Sequence, residues 1–329
     1  MARDLLQQDT IKLIKPLIPP DAEERVSRAF KQSNQIIREQ IRNLTGLKLS
    51  DGDGARSIPV RVVDGFPIQF AELIDSNADP VLWRLILGQP KIGGLVEGTQ
   101  FFMQEWDSIE GWPKLPAKWK TMKRHLEKAA EFGSMLQSLA IAEKVRQAIK
   151  KINEDILGAY FYAKDSRVEL YWIPIAMVAA MTNVRIEDLT LVVLIHELAH
   201  GYTHIGSDID GGLWQTQGFG ESSREVLEGL AQFYTHVVTD LMAARMPGPK
   251  AAYEAFLGLQ TGPYLVHKTW LKREPDRIGE IVRFTMVAAR SLGKVDYPTW
   301  MRLMNKSSSS LVKSKAVAPK IIANDEASS

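Results

Sequence analysis

The sequence predicts an α+β protein that is predominantly helical and carries a small antiparallel sheet. Apolar residues recur at helical spacing over most of the chain. Residues 158–172 instead alternate polar and apolar side chains, as the two strands of a hairpin do. At 329 residues and 45% hydrophobic composition, the chain is long enough for one large or two medium domains, each with a sizeable core.

The chain begins with segments that have clear start and stop signals. Residues 21–45 are predicted to be helical because Pro19, Pro20 and Asp21 lead into them. A Gly/Asp-rich break follows at residues 51–54. Residues 58–63 favour a strand, and Pro59 restricts that strand to a sheet edge because proline lacks the N–H that pairs with a neighbour.

The middle of the chain is predicted to be helical with one interruption. Residues 66–87 favour two short helices, and residues 118–156 favour a long charged helix with a break at Gly133. Between them, residues 93–116 are rich in Gly, Pro and Trp, which indicates a boundary or a structured loop.

These predicted elements divide the chain into three regions. Residues 1–116 form a mainly helical N-terminal region of unknown role, and residues 117–304 form the second domain. Residues 305–329 contain a serine run and scattered lysines without apolar periodicity, so they are predicted to be a disordered tail.

A hairpin precedes the most apolar part of the chain. Residues 158–163 and 167–172 are predicted to be its strands, joined by Lys164-Asp165-Ser166. Ile173 then begins a short apolar helix, and from Glu221 onward the chain is expected to be almost wholly helical.

The chain contains a complete H-E-x-x-H motif, His196-Glu197-Leu198-Ala199-His200. With six histidines in the chain, a chance match is expected on the order of 1% of the time. An apolar run at residues 189–195 precedes the motif, which predicts a helix buried on most of its surface. Side chains four residues apart share one helix face, so His196 and His200 can bind one metal ion, and Glu197 can take a proton from a water that the metal activates.

A catalytic zinc site usually has three protein ligands, and Glu228 is the best third candidate. It lies in a second apolar helix beside two small residues, Gly229 and Ala231, which would let another helix approach closely. Ser222 and Glu225 have the spacing of a capping box, which gives Glu225 a structural role instead.

Alternative third ligands lie directly after the motif, at His204, Asp208 and Asp210. If the helix continued straight, His204 would lie about 12 Å along the axis from His196, too far to share one ion. Both aspartates could also orient a ligand imidazole or form a turn beside Gly211.

The motif resembles that of the zincin metallopeptidases. Glu228-Gly229-Leu230-Ala231 is similar to the second glutamate motif of the gluzincins, the zincins whose third zinc ligand is a helical glutamate. The resemblance covers roughly residue 157 to the end of the Glu228 helix. It implies a zincin-like metallopeptidase core beside the small antiparallel sheet, a Zn²⁺ cofactor, and a peptide or protein substrate.

The resemblance also implies two further features. Zincins carry a strand near the motif helix whose free edge can pair with an extended substrate, although an ordinary structural hairpin explains the strands equally well. In gluzincins a Tyr or His downstream of the third ligand commonly stabilises the oxyanion. Tyr264 and His267 are the first candidates for that catalytic role here, followed by Tyr234 and His236.

Composition excludes some classes of partner and site. The net charge of +2 gives no electrostatic case for a nucleic-acid or membrane partner. The chain has no cysteine, so zinc must be bound through nitrogen and oxygen. Acidic residues near the start stand where a signal peptide has its apolar core, and we therefore expect a cytoplasmic protein.

Two other functions are consistent with the same residues. The zinc site could be structural or vestigial in a protein that works by binding a partner, although a structural site needs no general base such as Glu197. The bond hydrolysed could also be a small-molecule amide. In either case, residues 1–116 could shape a substrate cleft or hold a regulatory protein partner.

Overall fold

The computed structural model describes residues 2–49, 58–77, 79–108, 116–138, 141–152, 155–163 and 165–316. About 73% of the structure is helical, and a small mixed sheet accompanies the helices. The predominantly helical α+β class predicted from sequence is therefore confirmed. The Gly/Asp-rich break at residues 51–54 and the tail beyond residue 316 lie outside the described residues.

The helices follow one another through the whole described chain. Their bounds are α1 Ala2–Ile14, α2 Ala22–Thr45, α3 Ile68–Asp75, α4 Pro80–Asp107, α5 Ala117–Ser138, α6 Ile141–Lys150, α7 Trp172–Thr182, α8 Ile186–Ile205, α9 Thr216–Glu221, α10 Arg224–Ala243, α11 Pro247–Leu257, α12 His267–Leu271, α13 Ile278–Leu292 and α14 Tyr297–Ala316. Short 3-10 helices at Lys15–Leu17 and Gly262–Leu265 complete the set.

The sheet has three strands in the order β1-β3-β2, with β1 at Val60–Val63, β2 at Gly158–Phe161 and β3 at Arg167–Tyr171. The predicted hairpin is present, because β2 and β3 pair antiparallel with Tyr160 opposite Val168. The prediction of an antiparallel sheet is wrong in one respect, because β1 pairs parallel to β3. A parallel neighbour can come from a distant part of the chain, and β1 arrives from the N-terminal region at the predicted sheet edge.

Helix α8 lies at the centre of the molecule. Every residue from 189 to 204 is buried, since α2, α7, α10 and α11 pack around it and β2 and β3 contact it. A bidentate ion pair fastens α2 to its first turn, with Arg25 Nε 2.7 Å from Glu187 Oε1 and Arg25 Nη2 2.8 Å from Oε2. One hydrophobic core contains residues from both the N-terminal region and the second domain.

Several predicted boundaries differ from the structure. Helix α4 continues to Asp107, through much of the segment predicted as a boundary or loop, and α5 continues past Gly133 to Ser138. Gly and Pro disfavour a helix interior by only a few kcal/mol, which packing can offset. The predicted disordered tail is wrong for residues 305–316, because α14 extends to Ala316 and its earlier turns pack on α13. Among the described residues, no helix has the length and apolar character to cross a bilayer.

Candidate metal centre

The motif helix α8 and helix α10 bring three ligand atoms together. His196 Nε2 lies 3.2 Å from His200 Nε2, and Glu228 Oε2 lies 3.3 Å from the first and 3.4 Å from the second. All three side chains are buried. Within the described residues, Glu228 Oε2 has no hydrogen-bond partner. The group could therefore hold one metal ion, as the sequence predicted for these residues.

Close packing of α10 positions Glu228. Gly229 lies so close to α12 that an added Cβ would come within 2.5 Å of the Trp270 ring. The small size of Gly229 thus admits the neighbouring helix α12, as its place beside Glu228 predicted. The capping box is wrong, however. Ser222 Oγ donates to the Gly218 carbonyl and accepts from the Val295 N–H, because a tertiary contact outcompetes the local cap.

Glu197 lies beside the ligand atoms and is 2% exposed. Its carboxylate accepts a hydrogen bond from the backbone N–H of Tyr160 on β2. Its Oε2 has no hydrogen-bond partner among the described residues. Burial, followed by the charges of Asp155 and Glu228, raises the pKa of Glu197 well above its ordinary value. One oxygen is thus fixed by the strand while the other remains available.

Strand β2 approaches α8 so closely that Gly158 is needed there. A Cβ at Gly158 would lie 2.8 Å from Val193 Cγ1 and 3.0 Å from Glu197 Cγ. A side chain at this position would force Val193 or the strand to shift, so glycine favours this close approach. The absence of a side chain at Gly158 thus helps to place the Tyr160 N–H on the Glu197 carboxylate.

Buried charge around the ligand atoms favours a cation. Burial tends to raise the pKa of Glu228, but the two imidazoles outweigh burial and hold it well below its usual range. Burial tends to lower the pKa of His200, but Glu228 outweighs it and leaves that pKa raised. Glu197, Glu228 and Asp155 place three carboxyl groups in one region, so a divalent cation there would relieve their repulsion.

Tyr264, one of the two predicted oxyanion donors, lies at the centre. Its ring centroid is 6.2 Å from that of His196. The Tyr264 hydroxyl donates to Asp155 Oδ1 and accepts a hydrogen bond of 2.9 Å from Arg224 Nη2. Arg224 Nη2 also lies 3.8 Å from Glu228 Oε1. Tyr264 therefore connects Arg224, which lies beside Glu228, to Asp155.

Asp155 and Arg224 were not predicted from sequence. Asp155 lies between α6 and β2 in no recognisable motif, and only the fold brings it to residues far along the chain. Burial and then the charge of Glu228 raise its pKa. Arg224 does carry a local signal, since it precedes Glu228 by four residues on one helix and so shares its face.

His267, the other predicted oxyanion donor, is not brought to the ligand atoms. Its Nε2 lies 2.9 Å from the Tyr253 hydroxyl and its Nδ1 lies 3.0 Å from the Tyr264 carbonyl oxygen. Burial lowers the pKa of His267 to about 4, so the ring is neutral at pH 7. Both ring nitrogens of His267 therefore have partners, and the side chain is 1% exposed. His267 packs against Tyr264 through the contact of its Nδ1 with the Tyr264 carbonyl oxygen.

The alternative third ligands lie elsewhere. Helix α8 continues through Gly201 to Ile205, which carries His204 away from His196. His204 Nδ1 lies 2.9 Å from the Tyr160 hydroxyl and its Nε2 lies 3.2 Å from Thr216 Oγ1. Asp208 Oδ1 accepts the N–H groups of Asp210 and Gly212, so it forms a turn.

A cavity opens beside the ligand atoms. Four polar residues, His196, Glu197, Asp155 and Tyr264, are part of its wall. The rest is mainly apolar, with Val193 of α8 and Phe256 of α11 among the lining residues. The side chain that carries the unpaired Oε2, Glu197, therefore lines a cavity.

Comparison with known proteins gave no match to any family model, curated protein or solved structure.

Proposed function

We propose that this protein is a zinc-dependent metallopeptidase in which His196, His200 and Glu228 hold the zinc and Glu197 is the general base. The observation that carries the proposal is the triangle of ligand atoms, with sides of 3.2, 3.3 and 3.4 Å. Zinc binds nitrogen and oxygen at about 2.0–2.1 Å in tetrahedral sites, which places neighbouring ligand atoms about 3.3–3.4 Å apart. The spacing is thus that of one face of a zinc tetrahedron.

The donor set also fits zinc in its chemistry. Two imidazoles and one carboxylate are the ligands of the His₂Glu class of catalytic zinc sites, which leave a fourth position open. The larger oxygen-rich shells that Ca²⁺ and Mg²⁺ prefer would need more carboxylate or carbonyl oxygens. When bound, zinc would polarise a substrate carbonyl and lower the pKa of a water molecule toward neutrality.

Glu197 is placed to move a proton. Because the Tyr160 N–H holds one part of its carboxylate, the free Oε2 can accept the proton of an attacking water and pass it to the departing amine. Burial raises the pKa of Glu197 above its ordinary value, which makes its carboxylate a better proton acceptor. A cation at the centre would lower that pKa again by stabilising the carboxylate.

Tyr264 and Arg224 are placed to stabilise negative charge on the substrate oxygen. Tyr264 lines the cavity, and Asp155 accepts its one hydroxyl proton, so Tyr264 would stabilise a substrate oxygen by turning that proton from Asp155 toward it. Arg224 adds a positive charge behind Tyr264. This arrangement supports Tyr264, rather than His267, as the oxyanion donor.

Two features argue against a purely structural zinc site. A structural site is closed by four protein ligands, whereas the described residues provide three ligands beside a cavity. A structural site also has no use for a buried carboxylate such as Glu197, whose desolvation is costly.

We further propose that the protein acts in the cytoplasm on peptide or protein substrates. A regulatory protein partner is compatible with this function.

Metal removal tests the activity. We expect the purified protein to cleave fluorescein-labelled unfolded casein, to lose at least nine-tenths of that activity after chelation, and to recover it with one equivalent of Zn²⁺. Mg²⁺ should not restore cleavage, because it prefers octahedral oxygen coordination. Cleavage that continues undiminished in protein shown to be free of metal would refute the proposal.

A further inference from the structure

A second cavity lies beside the one at the metal centre. We call it the lateral groove. It runs between α4 and α6 on one side and the ends of α7 and α11 on the other. Its lining includes Gly93, Gly94, Glu143, Arg146, Ala255 and Gly258.

The lateral groove and the cavity at the metal centre share walls. Lys150 and Leu259 line both of them. On α6, Arg146 lines the groove and Ile149 lines the cavity. In the segment that follows α11, Gly258 lines the groove and Thr261 lines the cavity. A hydrogen bond of 3.2 Å from Thr261 Oγ1 to the Lys150 carbonyl ties the two walls together where they meet. The cavity and the lateral groove are therefore adjacent along α6 and along the segment that follows α11.

The chemistry of the groove suits the main chain of a peptide. Gly93, Gly94, Ala255 and Gly258 give it walls with little side-chain bulk. Its charges are mixed, since Arg146 Nη1 lies 3.7 Å from Glu143 Oε2, so it does not select a charged ligand. Polar groups beside small residues offer hydrogen bonds to peptide N–H and C=O groups whatever the side chains.

We propose that the lateral groove binds the polypeptide segment that extends from the bond being cleaved, so the substrate is a peptide chain and not a small-molecule amide. This inference rests on the proposed function. The groove follows α4 from Pro90 to Glu97, a rise of about 10 Å. An extended chain covers about 3.3 Å per residue, so the groove holds about three residues beyond the cavity.

Two glycines of α4 allow a matched test. A Cβ at Gly94 or at Gly98 would have no described atom outside the helix within 4 Å, so either position accepts a larger side chain. Gly94 lines the lateral groove, whereas Gly98, one turn further along the same helix, is not among its lining residues. Because the chain has no cysteine, Gly94→Cys and Gly98→Cys each introduce a single thiol.

The measurement is the rate at which a maleimide labels each thiol in zinc-loaded protein that also carries Glu197→Gln. The probes are pools of end-blocked random-sequence decapeptides and tripeptides, each at saturating concentration. We expect decapeptides to slow labelling of the Gly94→Cys protein at least threefold, with no effect of tripeptides on it and no effect of either pool on the Gly98→Cys protein.

Equal labelling rates of the Gly94→Cys protein with and without decapeptides would overturn the proposal. Cleavage by the unsubstituted protein then separates two failures. If it cleaves decapeptides although the thiol is unprotected, the groove proposal alone is wrong and the metallopeptidase proposal stands. If it cleaves neither pool, the proposed function fails as well.

Discussion

Replacing Glu197 with Gln is expected to leave the metal bound and to lower the rate of peptide hydrolysis by a factor of about 10²–10⁴, the usual contribution of a general acid or base. The amide keeps the size of the side chain, and one of its polar atoms can still meet the Tyr160 N–H. It cannot accept the proton of the attacking water. The measurement is kcat for a fluorogenic peptide, together with the metal content of the same preparation.

Glu225→Gln is the matched control for this experiment. Glu225 lies on α10 three residues before Glu228 and outside the group of ligand atoms. We expect that variant to retain metal and to keep kcat within about twofold. Undiminished turnover in the Glu197→Gln protein would show that Glu197 is not the base.

Replacing Arg290 with Met is expected to lower the free energy of unfolding by about 3 kcal/mol or more. Arg290 of α13 is 4% exposed and donates to the carbonyl oxygens of Thr203 and Gly206, at 2.9 and 2.5 Å from Nη2, and to Thr203 again from Nε. Carbonyls at the C-terminus of a helix lack partners within the helix and carry partial negative charge. Each buried acceptor left unpaired costs about 1–3 kcal/mol.

Denaturant unfolding at pH 7 measures the loss. Burial lowers the pKa of Arg290 only to about 10, so the guanidinium is charged at that pH. Lys294→Met is the control, because Lys294 lies just beyond the same helix and its side chain is 65% exposed. Equal stabilities of the two variants would show that Arg290 does not hold the end of α8.

The group of His196, His200 and Glu228, which could hold a metal ion, was largely predictable from sequence, because the two histidines follow helical spacing and all three residues lie in apolar helices. His196 and His200 lie one turn apart on α8, and the apolar run before them indicated burial, so a short segment carried both the motif and its environment. Glu228 was predictable because it lies in a second apolar helix beside Gly229 and Ala231. In each case the deciding information was local.

Features that depend on distant contacts were predicted less well. Asp155 reaches Tyr264 across 109 residues, and Ser222 bonds to Val295 across 73, so neither interaction leaves a local pattern. The same holds for β1, which pairs with β3 in a direction that its own sequence does not encode. His267 and Tyr264 are alike in sequence terms, and only packing shows that Tyr264 borders the cavity while His267 lies behind it.

The most direct measurement of the central claim is isothermal titration of the metal-free protein with Zn²⁺. We expect one zinc ion per chain, no measurable binding by the His196→Ala, His200→Ala double variant, and affinity about 100-fold weaker in Glu228→Ala than in the matched Glu225→Ala protein. Full zinc occupancy in the double variant, or unchanged affinity in Glu228→Ala, would contradict the claim.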